Sequence, residues 1–479
     1  MDGGLVSAEQ HALVSRVVAA NPVIGELGER FTAAGFELSL VGGSVRDALL
    51  GRLGHDLDFT TNARPDDITK LITGWADAIW DVGREFGTIA ARHGDFDIEI
   101  TTYRSEAYDP DSRKPAVEYG DTLVGDLGRR DFTVNSMAFT LGVNELVDPF
   151  NGTSDLQARR LMTPAAPEQS FSDDPLRMMR AARFAAQLGF DVAEDVVTAM
   201  TAMNERISII SAERVRDEII KLVIADFPRK GLELLGSTGL AEHVLPEIVG
   251  MKTTVDEHNR HKDVYEHTLM VVEQAIDLEK SHEPTSGPDF ILRFAALMHD
   301  IGKPKTRRFE GTNRVTFHHH EVVGAKMTRK RMKALRFSND EIDQVSTLVE
   351  LHLRFHGYGS GEWTDSAVRR YVRDAGDQLV RLHKLTRADC TTRNARKAAA
   401  LARTYDSLEA RIADLAAHEE LASIRPDLDG EQIMEILGIG PGREVGQAYR
   451  FLLDLRLDRG PLDAEIATEA LLAWWAART

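Results

Sequence analysis

The chain has 479 residues, 43% of them hydrophobic and 28% charged, with a formal net charge of −18 and a single cysteine, Cys390. That length supplies cores for about three domains. The acidic balance argues against a protein that coats nucleic acid non-specifically. The lone cysteine excludes an internal disulfide and a cysteine-based zinc site, which fits a reducing compartment. No apolar run reaches the roughly 20 residues of a membrane span, and no basic leader precedes an apolar stretch, so a cytoplasmic protein without membrane contact is expected.

Residues 7–35 carry helical spacing, with Leu13, Val17 and Val18 and then Ile24, Leu27 and Phe31 as apolar faces. The stretch 41–62, VGGSVRDALLGRLGHDLDFTTN, then reads as strand, glycine turn, short helix and second strand. Gly42 and Gly43 let backbone N–H groups approach phosphate oxygens, the helix start favours an anion, and Arg46 can reach the same group. Alternation on the second strand puts Asp56 and Asp58 on one face. Two carboxylates beside a phosphate cradle are a Mg²⁺ site.

A helix is expected over 65–75, then strands over 80–82, 88–92 and 96–102. On the last strand Glu99 shares a face with Asp97 and Thr101, which makes it a candidate third carboxylate. The polar stretch 104–128, with two prolines, reads as a loop without structure of its own. RRDFTVNSMAF, residues 129–139, brings Arg129 and Arg130 ahead of a segment that suits a buried helix. A short strand over 146–148 and a turn over 149–152 follow.

From about residue 169 the pattern is helical almost to the end. Residues 173–190 have Asp173 or Asp174 as cap, Pro175 in the first turn and Gly189 as stop. Arg177 and Arg180 lie near one face with the acidic start. A carboxylate beside a guanidinium presents acceptors and donors in one plane, able to read a base edge. Residues 213–223 form an amphipathic helix, with Glu213 and Asp217 spaced for ion pairs.

The third region carries His267, the pair His299–Asp300, His320, His352 and Asp389, on helices that could face one another. Imidazoles and carboxylates converging from several helices make a divalent-metal site that can activate water. Basic residues gather at 329–333, 369–373 and 393–403, either as solvated helix faces or as a surface for one RNA. Past residue 405 no chemical constellation stands out.

Five motifs in fixed order, VGGSVRDALLGR with DLDFTT, RRDFTVNSMA, DPFNG, DDPLRMMRAARF and ERVRDE, resemble the nucleotidyltransferase and neck regions of class II CCA-adding enzymes, whose motifs the bacterial poly(A) polymerases share. The resemblance implies a polymerase-β-like α/β head followed by a mostly all-α neck, body and tail. The divisions are N-terminal helices 1–36, head 37–160, neck 161–235, HD domain 250–400 and helical tail 401–479. It implies two Mg²⁺ ions on Asp56 and Asp58 with Glu99 completing the site. Phosphate contacts fall to Gly42, Gly43, Arg46, Arg129 and Arg130, and base selection to Asp174 and Arg177, with Arg180 beside them. The implied reaction is addition of C, C and A to a tRNA 3′ end from CTP and ATP, with 104–128 as the flexible loop that serves the switch from C to A.

The histidine set resembles the HD phosphohydrolases. His267, His299, Asp300 and Asp389 correspond to the core ligands of a transition metal or Mg²⁺, and His320 and His352 to the extra histidines of two-metal members. Some relatives of this kind hydrolyse 2′,3′-cyclic phosphates or 2′-phosphates. The alternatives are a poly(A) polymerase using ATP alone, or a mainly hydrolytic HD protein.

Overall fold

A computed structural model describes residues 7–107, 116–120, 122–252, 254, 263–310, 314–355, 358, 363–392, 394–419, 421 and 424–478. It divides into two compact units, Met1–Val244 and Leu245–Thr479. Among the described residues no helix is long and apolar enough to cross a membrane.

The first unit opens with helices Ala8–Ala19 and Pro22–Ala33. Ser7 and Gln10 close a capping box on the first, and Pro22 presets the first turn of the second. Their buried face is Val14, Val18, Ile24, Leu27 and Phe31, with Leu13 and Val17 at its margin. Nine strands follow: β1 Leu38–Val41, β2 Asp56–Thr61, β3 Ala78–Trp80, β4 Thr88–His93, β5 Phe96–Thr102, β6 Arg104–Ala107, β7 Ala116–Tyr119, β8 Ala138–Thr140 and β9 Glu145–Val147. Seven of them form one sheet in the order β3-β4-β5-β2-β1-β8-β9, and β6 and β7 pair separately.

Within that sheet only β2 and β5 are parallel. Their register sets Asp56 beside Asp97 and Asp58 beside Glu99. Leu57, Phe59, Ile98 and Ile100 are buried on the opposite face, so the core fixes which way the acids point.

Several local expectations are corrected. The helix starting at Pro65 stops at Ile72, because Thr73 is extended and Gly74 is left-handed at φ +79°. The strand expected over 80–82 lies at Ala78–Trp80, and Val82 is exposed. Residues 104–128 are not wholly a loop: β6 and β7 form an antiparallel hairpin, and Leu123–Gly128 is a short helix. Residues 108–115 and 121 of that stretch lie outside the described residues.

The segment 129–139 is a single 3-10 turn, Thr133–Asn135, running into β8. Its buried polar side chains hold it there: Asn135 donates to Asp131, Ser136 to the Phe132 carbonyl and Thr133 to Asp155. Asp173 ends the helix Pro167–Asp173, and the next helix starts at Leu176. Asp174 caps it by accepting from the Leu176 N–H at 3.0 Å, and Gly189 stops it in the left-handed region at φ +67°. Two short strands, β10 Arg160–Leu161 and β11 Asp191–Val192, pair in parallel ahead of and behind it. Helix Ala212–Val223 packs on Leu176–Leu188 as the amphipathic pattern predicts.

Among its described residues the second unit is helical apart from one hairpin, β12 Arg308–Glu310 with β13 Arg314–Thr316. Helices Val264–Ser281, Phe290–Met298, His320–Ala334, Asn339–Leu351 and Leu379–Ala388 share a core. The last three helices, Gly430–Leu437, Arg443–Arg459 and Ala464–Ala476, build a smaller cluster around Ile433, Leu452 and Leu471. Several residues of the basic clusters carry acidic partners. Arg331 pairs with Glu247, Arg369 with Glu419, Arg370 with Asp454 and Asp458, and Arg329 with Asp343. Arg396, Lys397 and Arg403 remain exposed, and Arg393 lies outside the described residues.

Candidate functional site

In the first unit a cavity of about 560 Å³ opens over the β2–β5 face. Its walls carry Asp58 and Glu99 from the sheet, Gly42, Gly43 and Arg46 from the glycine turn, and Arg129 and Arg130 from the RRD segment. Asp174, Arg177 and Arg180 come from the start of helix Leu176–Leu188. The structure thus gathers ten of the eleven residues singled out for this site. Asp56, at the exposed start of β2, stands outside the walls but close enough for its charge to act on Asp58.

Gly42 is required by its backbone and touches the site. Its φ of +66° is left-handed, and a Cβ there would sit 2.8 Å from Nη1 of Arg130. The cradle therefore includes a guanidinium laid against the turn. Arg46 donates to Asn135 Oδ1 at 2.6 Å and pairs with Asp47 at 2.9 Å. Asn135 bonds Asp131, which pairs with Arg180 at 2.7 Å. Burial opposes the Asp131 charge, but Arg180 and Asn135 hold its carboxyl below the usual range.

Sequence reasoning missed Asp126. It is fully buried and accepts hydrogen bonds from Arg129, Arg130, Thr60 and the Arg104 N–H, tying β2, the hairpin base and both arginines together. An acid three and four residues ahead of an arginine pair is the signal that could have found it. Arg104 and Asn135 also line the cavity and were not singled out.

Across the cavity, Arg177 donates to Ser170 Oγ at 2.9 Å and to the Arg129 carbonyl, while Asp174 Oδ2 pairs with Arg214 at 2.9 Å. Both groups are braced by neighbours, and each carboxylate oxygen keeps a further acceptor position. On the sheet side, burial, then Glu99, then Asp56 push the Asp58 carboxyl up to about 6 against the pull of Arg130 and Arg46. Acids crowded to that degree are a donor set that a divalent cation stabilises, so the residues fit such an ion.

The second unit brings all six of its predicted ligands together. His267 lies on helix Val264–Ser281, while His299, His352 and Asp389 each stand at a helix C-terminus. His320 begins helix His320–Ala334, and Asp300 follows His299. They form two triads, His267–His299–Asp389 and Asp300–His320–His352. The four ligands expected as the core stay together through Asp300, which also belongs to the second triad. Asp300 bridges them: Oδ2 is 3.2 Å from His299 Nε2 and 3.6 Å from His267 Nε2, and Oδ1 is 3.2 Å from His320 Nε2.

Helix-end geometry fixes the tautomers. The Nδ1–H groups of His299, His320 and His352 donate to the carbonyls of Ala296, Phe317 and Val349 at 2.7–2.8 Å, three residues back in each case. Their lone pairs therefore sit on Nε2. Oδ2 of Asp300 is buried and pairs with Lys303 Nζ at 2.7 Å, while Nε2 of all three histidines is buried without a hydrogen-bond partner. Buried polar atoms left that way point to metal ligation.

Proton balance agrees. Burial disfavours charge on His299, yet Asp300 and Asp389 lift it to about 10, whereas burial and the charges of His299 and His320 push His352 down to about 3. A divalent cation would supply the missing positive charge and leave the imidazoles neutral.

Gly302 closes this centre. A Cβ there would lie 2.1 Å from the His320 carbonyl oxygen, so only glycine lets the Asp300 loop meet the start of the His320 helix. Gly302→Ala is expected to destabilise the protein by about 1–3 kcal/mol, the usual cost of overpacking. Thermal unfolding checks this, with the loss concentrated in the metal-loaded protein.

Three family models match in order: the Poly A polymerase head domain over 38–162, the probable RNA and SrmB-binding site of polymerase A over 189–251, and the HD domain over 264–418. A CCA-adding enzyme of Streptococcus gordonii is 39% identical over 246 residues, 51% of this chain and 59% of its own length. One of Lactobacillus helveticus is 40% identical over 236 residues, 49% of this chain and 57% of its own length. The chain thus spans under two thirds of these relatives.

An A-adding tRNA nucleotidyltransferase of Deinococcus radiodurans is 30% identical over 453 residues, 92% of this chain and 96% of its own length. The Bacillus stearothermophilus CCA-adding enzyme, solved with CTP, shares the fold at a TM-score of 0.66 and 23% identity, covering 95% and 98% of the two chains. Matched nearly end to end by a relative at 30% identity, the chain belongs to the tRNA nucleotidyltransferase and poly(A) polymerase family of the CCA-adding enzymes and carries an HD domain behind the nucleotidyltransferase head.

Proposed function

We propose that the chain adds C, C and A to the 3′ end of tRNA from CTP and ATP without a nucleic-acid template, in the cytoplasm. The observation that carries this reading is one cavity in which Asp58 and Glu99, adjacent across two strands, face Asp174 and Arg177. Asp56 and Asp58, with Glu99 beside them, would hold Mg²⁺, which when bound lowers the pKa of the attacking 3′-hydroxyl and neutralises the triphosphate. Gly42, Gly43, Arg46, Arg129 and Arg130 hold the phosphates in line. Asp126 sets the two arginines at the required height.

Base choice follows from donor and acceptor order. Cytosine and adenine each present an exocyclic amino donor beside a ring-nitrogen acceptor, whereas uracil and guanine present the reverse. Asp174 accepts from the amino group and Arg177 donates to the ring nitrogen, so C and A fit while U and G meet like with like. Arg177→Ala is expected to lower discrimination against UTP and GTP by about tenfold to a hundredfold, the range for one two-bond base contact. Competing incorporation on one tRNA measures it, and unchanged discrimination would refute the base-reading role.

A narrower reading, addition of the final A alone, is favoured by one observation: the end-to-end relative from Deinococcus is an A-adding enzyme. Incubation with tRNA lacking all of its CCA end, and with tRNA ending in CC, separates the two when products are sequenced. Full CCA on the first substrate supports the proposal. Addition only to the second supports the narrower reading, and unlimited A addition would mark a poly(A) polymerase.

The HD centre is proposed as a metal-dependent phosphohydrolase for 2′,3′-cyclic phosphates or 2′-phosphates at RNA ends. Its imidazole-rich ligands suit a divalent transition metal better than Mg²⁺.

A further inference from the structure

The stretch between two residues of the metal triads, Asp300 and His320, is KPKTRRFEGTNRVTFHH after the pair Ile301–Gly302. It carries Lys303, Lys305, Arg307, Arg308 and Arg314 against one acid, Glu310, in a chain whose net charge is −18. Lys303 turns inward and pairs with Asp300 at 2.7 Å. Lys305, Arg307 and Arg308 are exposed and make no ion pair with a described residue, whereas Arg331 and Arg369 of the same unit are paired with Glu247 and Glu419.

Phe309, on β12, is 73% exposed, the most exposed phenylalanine among the described residues. The Arg307 guanidinium lies 5.4 Å from its ring centre. The chain leaving the other metal-binding acid, Asp389, likewise carries exposed Arg396 and Lys397.

We propose that the Arg308–Glu310 strand and the Lys305–Arg307 segment before it form the RNA-docking arm of the HD centre, with Phe309 stacking on a base near the strand's 3′ end and Lys305, Arg307 and Arg308 holding its phosphates. This rests on the HD centre being a hydrolase for RNA ends. An aromatic face flanked by cations is the recurring platform for single-stranded nucleic acid, because every base has a π-face and every linkage a charge. One exposed phenylalanine is too small an apolar surface to hold a protein partner. Continuity favours this centre as the destination: the arm lies in the chain between Asp300 and His320, one ligand on either side of it.

The test is ultraviolet cross-linking of the full chain to a short single-stranded RNA with 4-thiouridine at its 3′ end, followed by peptide mapping. The expected result is a cross-linked peptide containing Phe309. Its yield should fall about tenfold in Phe309→Ala, as for loss of one stacked base, persist in Phe309→Trp, and decline with rising salt. Thermal unfolding of each variant guards against loss of fold. Cross-links confined to the first unit, or a Phe309 cross-link unaffected by charge removal in Arg307→Ser/Arg308→Ser, would overturn the proposal. The readout does not depend on hydrolysis. A cross-link without hydrolysis of a 2′,3′-cyclic phosphate end would therefore reject the hydrolase reading and leave the docking arm standing.

Discussion

Asp58→Ala is expected to lower nucleotide addition on the order of a thousandfold or more while leaving hydrolysis at the HD centre unchanged. The size follows from the charge that is removed. Several kilocalories per mole of transition-state stabilisation depend on holding Mg²⁺ at the reacting phosphate, and each 1.36 kcal/mol is about tenfold in rate. Asp58 is the acid at the centre of that charge: Glu99 lies beside it across the parallel pair, and its own backbone N–H is tied to Ser44 Oγ at 3.0 Å.

Asp58→Asn keeps the size and the backbone bond and loses only the charge. It should fail as badly as the alanine variant. Triphosphate binding, carried by Arg46, Arg129 and Arg130, should weaken far less than turnover. Radiolabelled CTP and ATP incorporation into tRNA gives the rate, and equilibrium binding of the nucleotide gives the second quantity. Equal loss of addition and HD hydrolysis would contradict two separate centres.

What could be read before the fold was known divides along a physical line. Period-two alternation fixed the faces of β2 and β5, so Asp56, Asp58 and Glu99 were legible, because a strand cannot rotate one side chain without rotating its neighbours. The HD ligands were legible for a different reason. His299 and His352 close apolar helices, where free carbonyls wait for a donor, and that pattern survives in sequence, whereas His267 and His320 stand in the first turns of theirs.

The RRD segment misled because its apolar spacing is helical while its polar side chains take up the backbone groups locally. The hairpin of β6 and β7 was invisible because ladder pairing needs backbone rather than apolar side chains. The partners of the basic clusters were hidden by distance in sequence. Arg369 finds Glu419 fifty residues on, and Arg370 finds Asp454 and Asp458 still farther away, so no local reading of charge could show that these cations were taken.

The division of the six HD ligands into two triads makes the second large prediction. Asp300→Asn should abolish hydrolysis and strip metal from both triads, whereas His352→Ala should remove metal from one. Asp300 is the residue that faces both: Oδ2 meets His267 and His299, and Oδ1 meets His320. Asparagine fits the same space but offers one neutral oxygen and an N–H that cannot ligate. His352 is grouped with Asp300 and His320, and meets the other triad only through ring contact with His299 at 5.3 Å between centroids.

Metal content after dialysis, read by mass spectrometry, counts the ions directly. Thermal unfolding gives an independent measure, because an ion that binds only the folded chain raises the midpoint as its concentration rises. Mn²⁺ should raise it strongly in the wild type, partly in His352→Ala and not at all through this unit in Asp300→Asn. Nucleotide addition should be the same in all three proteins. Retention of full metal content by Asp300→Asn would show that the triads do not share this carboxylate, and the two sets of histidines would then be independent sites rather than one bridged centre.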